Sequence, residues 1–296
     1  MRPKNPTTKR EAMKQTPYEK ITERILKLLE EGVCPWKRPW SHGNSLPQNF
    51  VGGNVYRGIN LFLLNAMAFE SPYFLTFKQA KDLGGAVRKG EKGLPVVYWG
   101  QKLVEEATDS EEDGKKIRFL KCYTVFNARQ IEDVEFPTLE EREAITFSPI
   151  EAAETILAGW LDAPKIDHGF KKAAWNPGND TIIMPSRNQF ESPDEYYSTL
   201  FHELGHATGH PKRLDRNMTG GGFGSEAYGR EELVAEMTSA FLCAECGIDN
   251  SVIENQAAYL DGWIRTIKKD ARLVVIAAAQ ASRAAGMILG RSDQEA

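Results

Sequence analysis

Hydrophobic residues recur at helical spacing in three stretches of the chain. The first runs from Ile21 to Leu29, behind the helix-start pattern Thr16-Pro17-Tyr18-Glu19, and Gly32 ends it. The second begins at Leu233 and predicts a buried helical face made of Leu233, Met237, Ala240 and Phe241. The third is an Ala-rich segment from Ile253 to Ala285, which we predict to be helical and packed behind the core.

Shorter apolar runs predict strands. Leu94–Trp99 and Ile117–Asn127 predict a hairpin, with the acidic residues 105–113 as a solvated loop between its strands. Thr181–Met184 predicts a strand that either lines a cleft and pairs with an extended peptide or completes a sheet. Residues 211–227, which include the glycine-rich run 220–224, predict an irregular segment that could act as a mobile flap.

These elements predict an α+β protein with two domains. We expect a flexible basic tail over residues 1–15, a small α+β domain over 16–130, an acidic linker over 131–148 and a mostly helical domain over 149–296. A chain of 296 residues is long enough to form two such cores.

The second domain contains the strongest chemical motif. Ser192 and Glu195 predict a capping box with Pro193 at the first helical position, so a helix begins there. His202 and His206 then lie one turn apart on the same face, where two imidazoles can bind one cation. Glu203 is placed to take a proton from a metal-activated water, so the pattern H-E-x-x-H indicates metal-dependent hydrolysis, with Zn²⁺ first and Mn²⁺ or another divalent metal as alternatives.

A third ligand must come from elsewhere in the chain. The pattern with a further histidine fails because position 212 is lysine, and His210 lies where the helix is expected to end, so we interpret it as structural or supporting. Glu232 and Glu236 share one helical face downstream, and we predict Glu232 as the ligand and Glu236 as its support. The reverse assignment and a merely solvated acidic face both remain open.

Charge divides the chain unevenly. Its net charge is −4, yet residues 1–130 carry 22 Lys and Arg against 14 Asp and Glu, a net of +8, whereas residues 131–296 have a net of −12. A cationic half suits a polyanion, although it can also serve solubility alone.

Two segments of the cationic half are candidate nucleic-acid contacts. Trp36, Lys37, Arg38 and Trp40 combine aromatic faces for unpaired bases with cations for phosphates, unless the tryptophans cover the core instead. The glycine-rich turn of Arg88, Lys89 and Lys92 offers cations and backbone N–H groups, or simply joins two strands. It lacks the phosphate-loop signature, so nucleotide hydrolysis is not supported.

The remaining signals concern the cellular compartment. Cys243 and Cys246 have C-x-x-C spacing within an apolar helix, which favours two packed thiols over a zinc or redox site. The N-terminal residues lack a signal-peptide core, and no apolar run is long enough to span a membrane. We therefore expect a cytoplasmic protein without a membrane partner.

Several of these motifs resemble those of a known family. Tyr56-Arg57-Gly58-Ile59-Asn60, the basic turn 88–93 and Val125-Phe126-Asn127 resemble the N-terminal single-stranded-DNA-binding domain of ArdC-type antirestriction proteins and plasmid TraC primases. The H-E-x-x-H helix together with residues 230–236 is similar to the zincin-like metallopeptidase domain of ArdC. The resemblance covers nearly the whole chain, and it adds Tyr56 and Arg57 to the candidate DNA contacts.

The resemblance implies a function for both halves. The protein would bind single-stranded DNA and protect incoming conjugative plasmid DNA from host restriction, with a gluzincin-like peptidase centre in its second domain. A host restriction enzyme or another protein substrate would be a further partner. The alternative is a non-catalytic protein that binds and occludes single-stranded DNA and whose metal site is structural.

Overall fold

The computed structural model describes residues 15–37, 46–104, 115–137, 149–216, 226–248 and 256–291. The helices are α1 Pro17–Glu30, α2 Ile59–Asn65, α3 Phe77–Asp82, α4 Pro149–Gly159, α5 Pro193–Ala207, α6 Glu226–Cys246, α7 Gln256–Ile267 and α8 Leu273–Ile288. The strands are β1 Gln48–Asn49, β2 Tyr73–Thr76, β3 Ala86–Val87, β4 Leu94–Val104, β5 Lys115–Asn127, β6 Ile131–Glu132, β7 Lys165–His168, β8 Ala174–Asn176 and β9 Thr181–Met184. No described helix has the length and apolar character needed to cross a bilayer.

The N-terminal region is built on a four-stranded sheet in the order β1-β2-β5-β4. β4 and β5 form the predicted hairpin, with Leu94 opposite Val125 and Trp99 opposite Leu120. β4 is an edge strand, and Asn60 at the start of α2 covers part of that edge. Its side-chain amide donates to the Val97 carbonyl at 2.7 Å, and its oxygen accepts from the Val97 N–H at 2.8 Å. This pair of bonds fixes α2 beside the hairpin.

The C-terminal region is mostly helical and carries a small sheet in the order β7-β9-β8. β9 pairs with β7 on one side and with β8 on the other. The idea that Thr181–Met184 receives an extended peptide is therefore wrong, since both of its edges are already paired. The strand is the central one of the sheet, and β7 and β8 form its edges.

One hydrophobic core joins the two regions. α1 and α2 of the N-terminal region pack against α7 and α8 of the C-terminal region. The Phe62 ring stacks on Phe241 with centroids 4.5 Å apart, and the Thr22 hydroxyl donates to the Ala271 carbonyl at 2.6 Å. The α+β architecture and the helical second region are as predicted, but the regions share apolar surface and are not independent lobes.

The structure refines three local expectations. Ser192 caps α5 by accepting from the Glu195 N–H at 3.1 Å, but Glu195 turns back to the Glu191 N–H, so the box is not reciprocal. The helix predicted over 253–285 is divided into α7 and α8 by a break at 268–272. The predicted linker begins with β6, which pairs with β3 because Ile131 is buried against Leu75 and Ala80.

Other expectations lie partly or wholly outside the described residues. These are residues 1–14 of the tail, Arg38, Trp40, the acidic loop 105–113, most of the linker and residues 217–225 of the predicted flap. Cys243 and Cys246, the C-x-x-C cysteines, are among the described residues. Both thiols are free and buried, and burial raises the pKa of each to about 12, as expected for packed thiols.

Gly205 sets the spacing between α5 and α6. A Cβ at this position would lie 3.0 Å from Ala235 Cα and 3.2 Å from its carbonyl oxygen, both belonging to the backbone of α6. We expect Gly205→Ala to lower the free energy of unfolding, because an overpacking cost of about 1–3 kcal/mol exceeds the gain of about 0.5–1 kcal/mol from better helix propensity. Urea unfolding of the whole chain measures the difference.

Gly262 on α7 is the matched control for this change. A Cβ there meets no atom within 4 Å, so Gly262→Ala should stabilise the protein by its helix propensity alone. Equal stability changes for the two variants would contradict the role given to Gly205.

Candidate metal centre

α5 and α6 cross so that three potential ligands converge. The Nε2 atoms of His202 and His206 are 3.1 Å apart, and the Glu232 carboxylate lies 3.5 Å from the first and 3.6 Å from the second. All three ligand atoms fall within 4.8 Å of one another, and the side chains are half-buried. The pairing of the histidines with Glu232, predicted from sequence, is thus the group that the fold brings together.

The spacing of these atoms fits a small divalent cation. Ligands about 2.0–2.2 Å from the centre of a tetrahedron lie about 3.3–3.6 Å from each other. The two imidazole nitrogens, 3.1 Å apart, are slightly closer than that, and Glu232 presents Oε2 to His202 at 3.5 Å and Oε1 to His206 at 3.6 Å. Two imidazole nitrogens and one carboxylate oxygen also form a donor set suited to zinc, with further coordination positions left for water or substrate.

Glu203 is held beside this group by a strand that sequence patterns did not reveal. Its Oε2 accepts a hydrogen bond from the Trp175 backbone N–H at 2.7 Å, and Trp175 lies on the edge strand β8. The run from Trp175 to Asp180 contains a proline and a glycine and is typical of a turn, yet residues 174–176 form a strand. The other oxygen of Glu203 makes no hydrogen bond with the described residues, so it is available to a proton.

Glu236 lies behind His202 and connects it to the N-terminal region. Its Oε1 is 3.8 Å from His202 Nδ1, a charge contact that is longer than a hydrogen bond. Its Oε2 is 3.1 Å from the Lys37 ammonium, and both side chains are about 15% exposed. A residue of the N-terminal region therefore supplies the counter-charge for a carboxylate of the metal centre.

Glu231 holds the same position behind His206, which sequence reasoning missed. Its Oε1 is 3.6 Å from His206 Nδ1, and both of its oxygens accept from the Arg216 guanidinium, at 2.6 and 3.1 Å. Arg216 also donates to Thr208 and to the Gly205 carbonyl. The adjacent glutamates at positions 231 and 232 were the available sequence signal. No spacing pattern, however, connects Glu231 with Arg216.

Burial and neighbouring charges shift the pKa values of these groups. Burial alone would lower the pKa of His202, but its hydrogen bond to Glu232 and the surrounding carboxylates raise that pKa overall. Burial would raise the pKa of Glu236, but the charges of Lys37 and His202 lower it. Burial likewise opposes ionisation of Glu231, whose pKa is lowered by its bonds to His206 and Arg216.

A cavity of about 430 Å³ opens next to the ligands, between α6 and α7. Glu232, Glu236 and Tyr228 line its inner end, and Trp263 and Leu273 form part of its apolar wall. Burial and a hydrogen bond to Glu232 raise the pKa of Tyr228 to about 12, so its hydroxyl stays protonated and can donate. Tyr228 was not among the predicted site residues.

Two predicted DNA contacts are instead parts of the core. The Trp36 ring is 1% exposed, donates from Nε1 to the Tyr259 hydroxyl at 3.2 Å and packs edge-on against Trp263. It cannot stack on a base. Lys37 is committed to Glu236, and that carboxylate raises the pKa of the lysine although burial alone would lower it. The alternative of a tryptophan that covers the core is correct for Trp36.

The other described candidates are accessible to a ligand. Arg88, Lys89 and Lys92 are exposed on the turn between β3 and β4. Arg57 is exposed ahead of α2, whereas Tyr56 is half-buried against Phe74. His210 lies outside the ligand group and packs its ring edge-on against Trp175, which agrees with a structural role.

Two protein families match the chain, one over its cationic half and the other over the half that contains the candidate metal centre. Residues 15–126 match the N-terminal domain of the anti-restriction factor ArdC. Residues 151–280 match the zincin-like metallopeptidases.

Individual relatives cover nearly all of the chain. Two DNA primases named TraC from Escherichia coli are 39% and 37% identical over 92% and 90% of it, but the chain spans only 27% and 19% of their lengths. An uncharacterised protein of Sinorhizobium fredii, y4eC, is 34% identical, and the match covers 92% of both chains.

Crystal structures of the antirestriction protein ArdC from plasmid R388 are similar in fold. The metal-free form has a TM-score of 0.68 and the Mn(II)-bound form 0.72, each with 37% identity and 92% of this chain covered. The match covers 96% and 97% of those chains. Because identity is high and coverage is nearly complete in both directions, this chain belongs to the ArdC-type antirestriction family.

Proposed function

We propose that this protein binds single-stranded DNA, protects incoming plasmid DNA from restriction, and carries a metal-dependent peptidase centre. The hydrolytic part rests on one observation, the convergence of His202, His206 and Glu232 within 4.8 Å beside Glu203. The ligand and base assignments made from sequence are retained as part of this proposal. So is the division into a DNA-binding domain over 16–130 and a peptidase domain over 149–296.

Zn²⁺ is the metal we propose for this centre. Two imidazoles and a carboxylate are characteristic of catalytic zinc, whereas manganese favours carboxylate and water ligands. Mn²⁺ remains an alternative, since the related R388 ArdC has a Mn(II)-bound structure. Loading with each metal in turn and comparing affinities decides between them.

The residues around the ligands have distinct chemical tasks. A divalent cation bound there would polarise a scissile carbonyl and lower the pKa of a water molecule. Glu203 takes the proton of the attacking water and returns it to the leaving amine nitrogen. The Trp175 N–H fixes one oxygen of Glu203, at 2.7 Å, so that the other receives the proton. Glu231 and Glu236 orient the two imidazoles from behind.

Metal loading is expected to stabilise the protein, because a ligand that binds only the folded state raises its unfolding free energy by about 2.7 kcal/mol at 100 times Kd. His206→Ala should abolish that effect, since one of three ligands is lost. Differential scanning fluorimetry of the whole chain, stripped with a chelator and titrated with Zn²⁺ or Mn²⁺, measures the shift in Tm.

His210→Ala is the control for this experiment. It removes an imidazole one turn beyond His206 without touching the proposed ligand set. Loss of the metal-dependent shift in His210→Ala, or its survival in His206→Ala, would contradict the ligand assignment.

The DNA-binding part of the proposal is supported by family membership and by the basic N-terminal half. Binding of a single-stranded oligonucleotide by the whole chain should weaken steeply with salt, because Lys and Arg contacts release counterions. Transfer of an unmodified plasmid into a restricting host tests protection directly. Binding that is absent or indifferent to salt would remove this part of the proposal.

A further inference from the structure

Two cavities lie side by side along the seam where the N-terminal region meets α8. The first, of about 610 Å³, is lined by Arg57, Trp99, Gln101 and Arg283, and the second, of about 550 Å³, by Arg57, Glu245 and Arg291. Arg57 and Ser282 line both. We call these two adjacent cavities, bounded by Arg57 and Trp99 on one side and by residues 275–291 on the other, the seam groove.

The seam groove is cationic, although one of its sides, α8, belongs to the acidic half of the chain. Among the described residues, no Asp or Glu lines the first cavity and one, Glu245, lines the second, where it is paired with Arg291 through two bonds of 2.7 and 2.8 Å. α8 itself contains no acidic residue and one cation, Arg283. Arg283 is exposed and forms no ion pair or hydrogen bond with another described residue.

An aromatic face lies beside these cations. Trp99 is 43% exposed, and Tyr18 packs edge-on against it with ring centroids 6.3 Å apart. Because Trp99 and Arg283 line the same cavity, a base stacked on the indole would bring its phosphate within reach of a guanidinium. A base in a duplex is already stacked and paired, so this arrangement selects an unpaired strand.

The two sides of the groove are fixed in position relative to each other. Gly58 has a φ of +56°, and a Cβ there would lie 3.8 Å from the Ala278 carbonyl oxygen, so the chain beside Arg57 runs close to α8. Asn60 ties the same segment to β4 through Val97. From residue 275 to its end at residue 288, α8 extends about 20 Å at 1.5 Å per residue, which is long enough for several nucleotides.

From this arrangement we infer that the seam groove is the single-stranded nucleic-acid site, formed jointly by both regions. The inference rests on the proposed DNA-binding function and gives that function a location, with Arg283 and Trp99 as contacts that motif analysis did not assign. Among the predicted DNA contacts that the structure describes, Arg57 alone lies in the seam groove at an exposed position. The cations of the turn between β3 and β4 are not among the groove residues.

The test is fluorescence anisotropy of a labelled oligothymidine with the whole chain, since both sides of the groove are required. Arg283→Gln should weaken binding and reduce the slope of log K against log salt by about 0.7, the value for one phosphate contact on a single strand. Trp99→Ala should weaken binding about 5- to 150-fold, the range for loss of base stacking, and Trp99→Phe should retain part of the affinity.

Arg265→Gln on α7 is the matched control. It removes the same charge from an exposed helical position that lines neither cavity of the groove, so affinity and salt slope should stay parental. The Zn²⁺-dependent shift in Tm of each variant verifies that it is folded.

Two results would overturn the inference in distinguishable ways. Parental binding by Arg283→Gln and Trp99→Ala, with weak binding by Arg88→Gln, would place the strand on the turn between β3 and β4 and leave the DNA-binding function standing. Failure of the parental protein to bind any single strand would remove both the groove and the DNA-binding function.

Discussion

Glu203→Gln is expected to abolish peptide hydrolysis while leaving metal binding intact. A carboxamide cannot accept the proton of the attacking water, and loss of a general base lowers rates by about 10²–10⁴-fold. The substitution is nearly isosteric, and the amide oxygen of glutamine can still accept from the Trp175 N–H that now meets Glu203 at 2.7 Å. Cleavage of fluorogenic casein by the Zn²⁺-loaded whole chain measures the loss, and calorimetric titration measures metal affinity.

Glu195→Gln gives the matched control, because it makes the same change on the same helix two turns from the ligands. It should keep parental cleavage. If Glu203→Gln cleaves casein as fast as the parental protein, Glu203 is not the base. Glu203→Gln also tests the rival function. Plasmid protection that survives the loss of cleavage in this variant would favour a non-catalytic DNA-binding protein with a structural metal site.

Local sequence signals predicted the elements that carry the centre. A cap residue, a proline and a helical repeat are signals that span only one or two turns of sequence. The starts of α1 and α5 and the buried face of α6 could therefore be predicted. Glu232 could be proposed as a ligand because helical spacing places it on one face of α6 together with Glu236. The break between α7 and α8 has no glycine or proline to indicate it, so it was missed.

Contacts between distant segments decided the remaining features of the site. Aromatic residues beside cations are typical both of base-stacking sites and of lids on a core, and only Tyr259 and Trp263, more than 200 residues away, identify Trp36 as the second. The Trp175 N–H that holds Glu203 belongs to the backbone, which residue types do not specify. Trp99 and Arg283 line one cavity only because α8 packs against α1 and α2 of the N-terminal region.

Lys37→Met is expected to destabilise the protein strongly and to weaken its metal site, although Lys37 belongs to the other region. The substitution leaves Glu236 buried without its counter-charge, and breaking a buried pair in this way typically costs about 3–5 kcal/mol. Support of a ligating histidine by an outer carboxylate is worth about 10–100-fold in metal affinity. We expect the lower end of that range, because Glu236 Oε1 is 3.8 Å from His202 Nδ1, beyond hydrogen-bond distance. Urea unfolding of the metal-free chain and calorimetric titration with Zn²⁺ measure the two effects.

Two further variants separate the charge effect from simple loss of a tether between the regions. Lys268→Met breaks an ion pair with Glu30 that also joins the two regions, at 3.0 Å, but both side chains are more than half exposed, so about 1 kcal/mol or less should be lost and Zn²⁺ affinity should not change. The double variant Lys37→Met with Glu236→Gln removes the isolated charge, so it should recover most of the stability while Zn²⁺ affinity stays low. If Lys37→Met matches Lys268→Met in both measurements, the N-terminal region does not support the metal centre. If the double variant binds Zn²⁺ as tightly as the parental protein, Glu236 does not position His202.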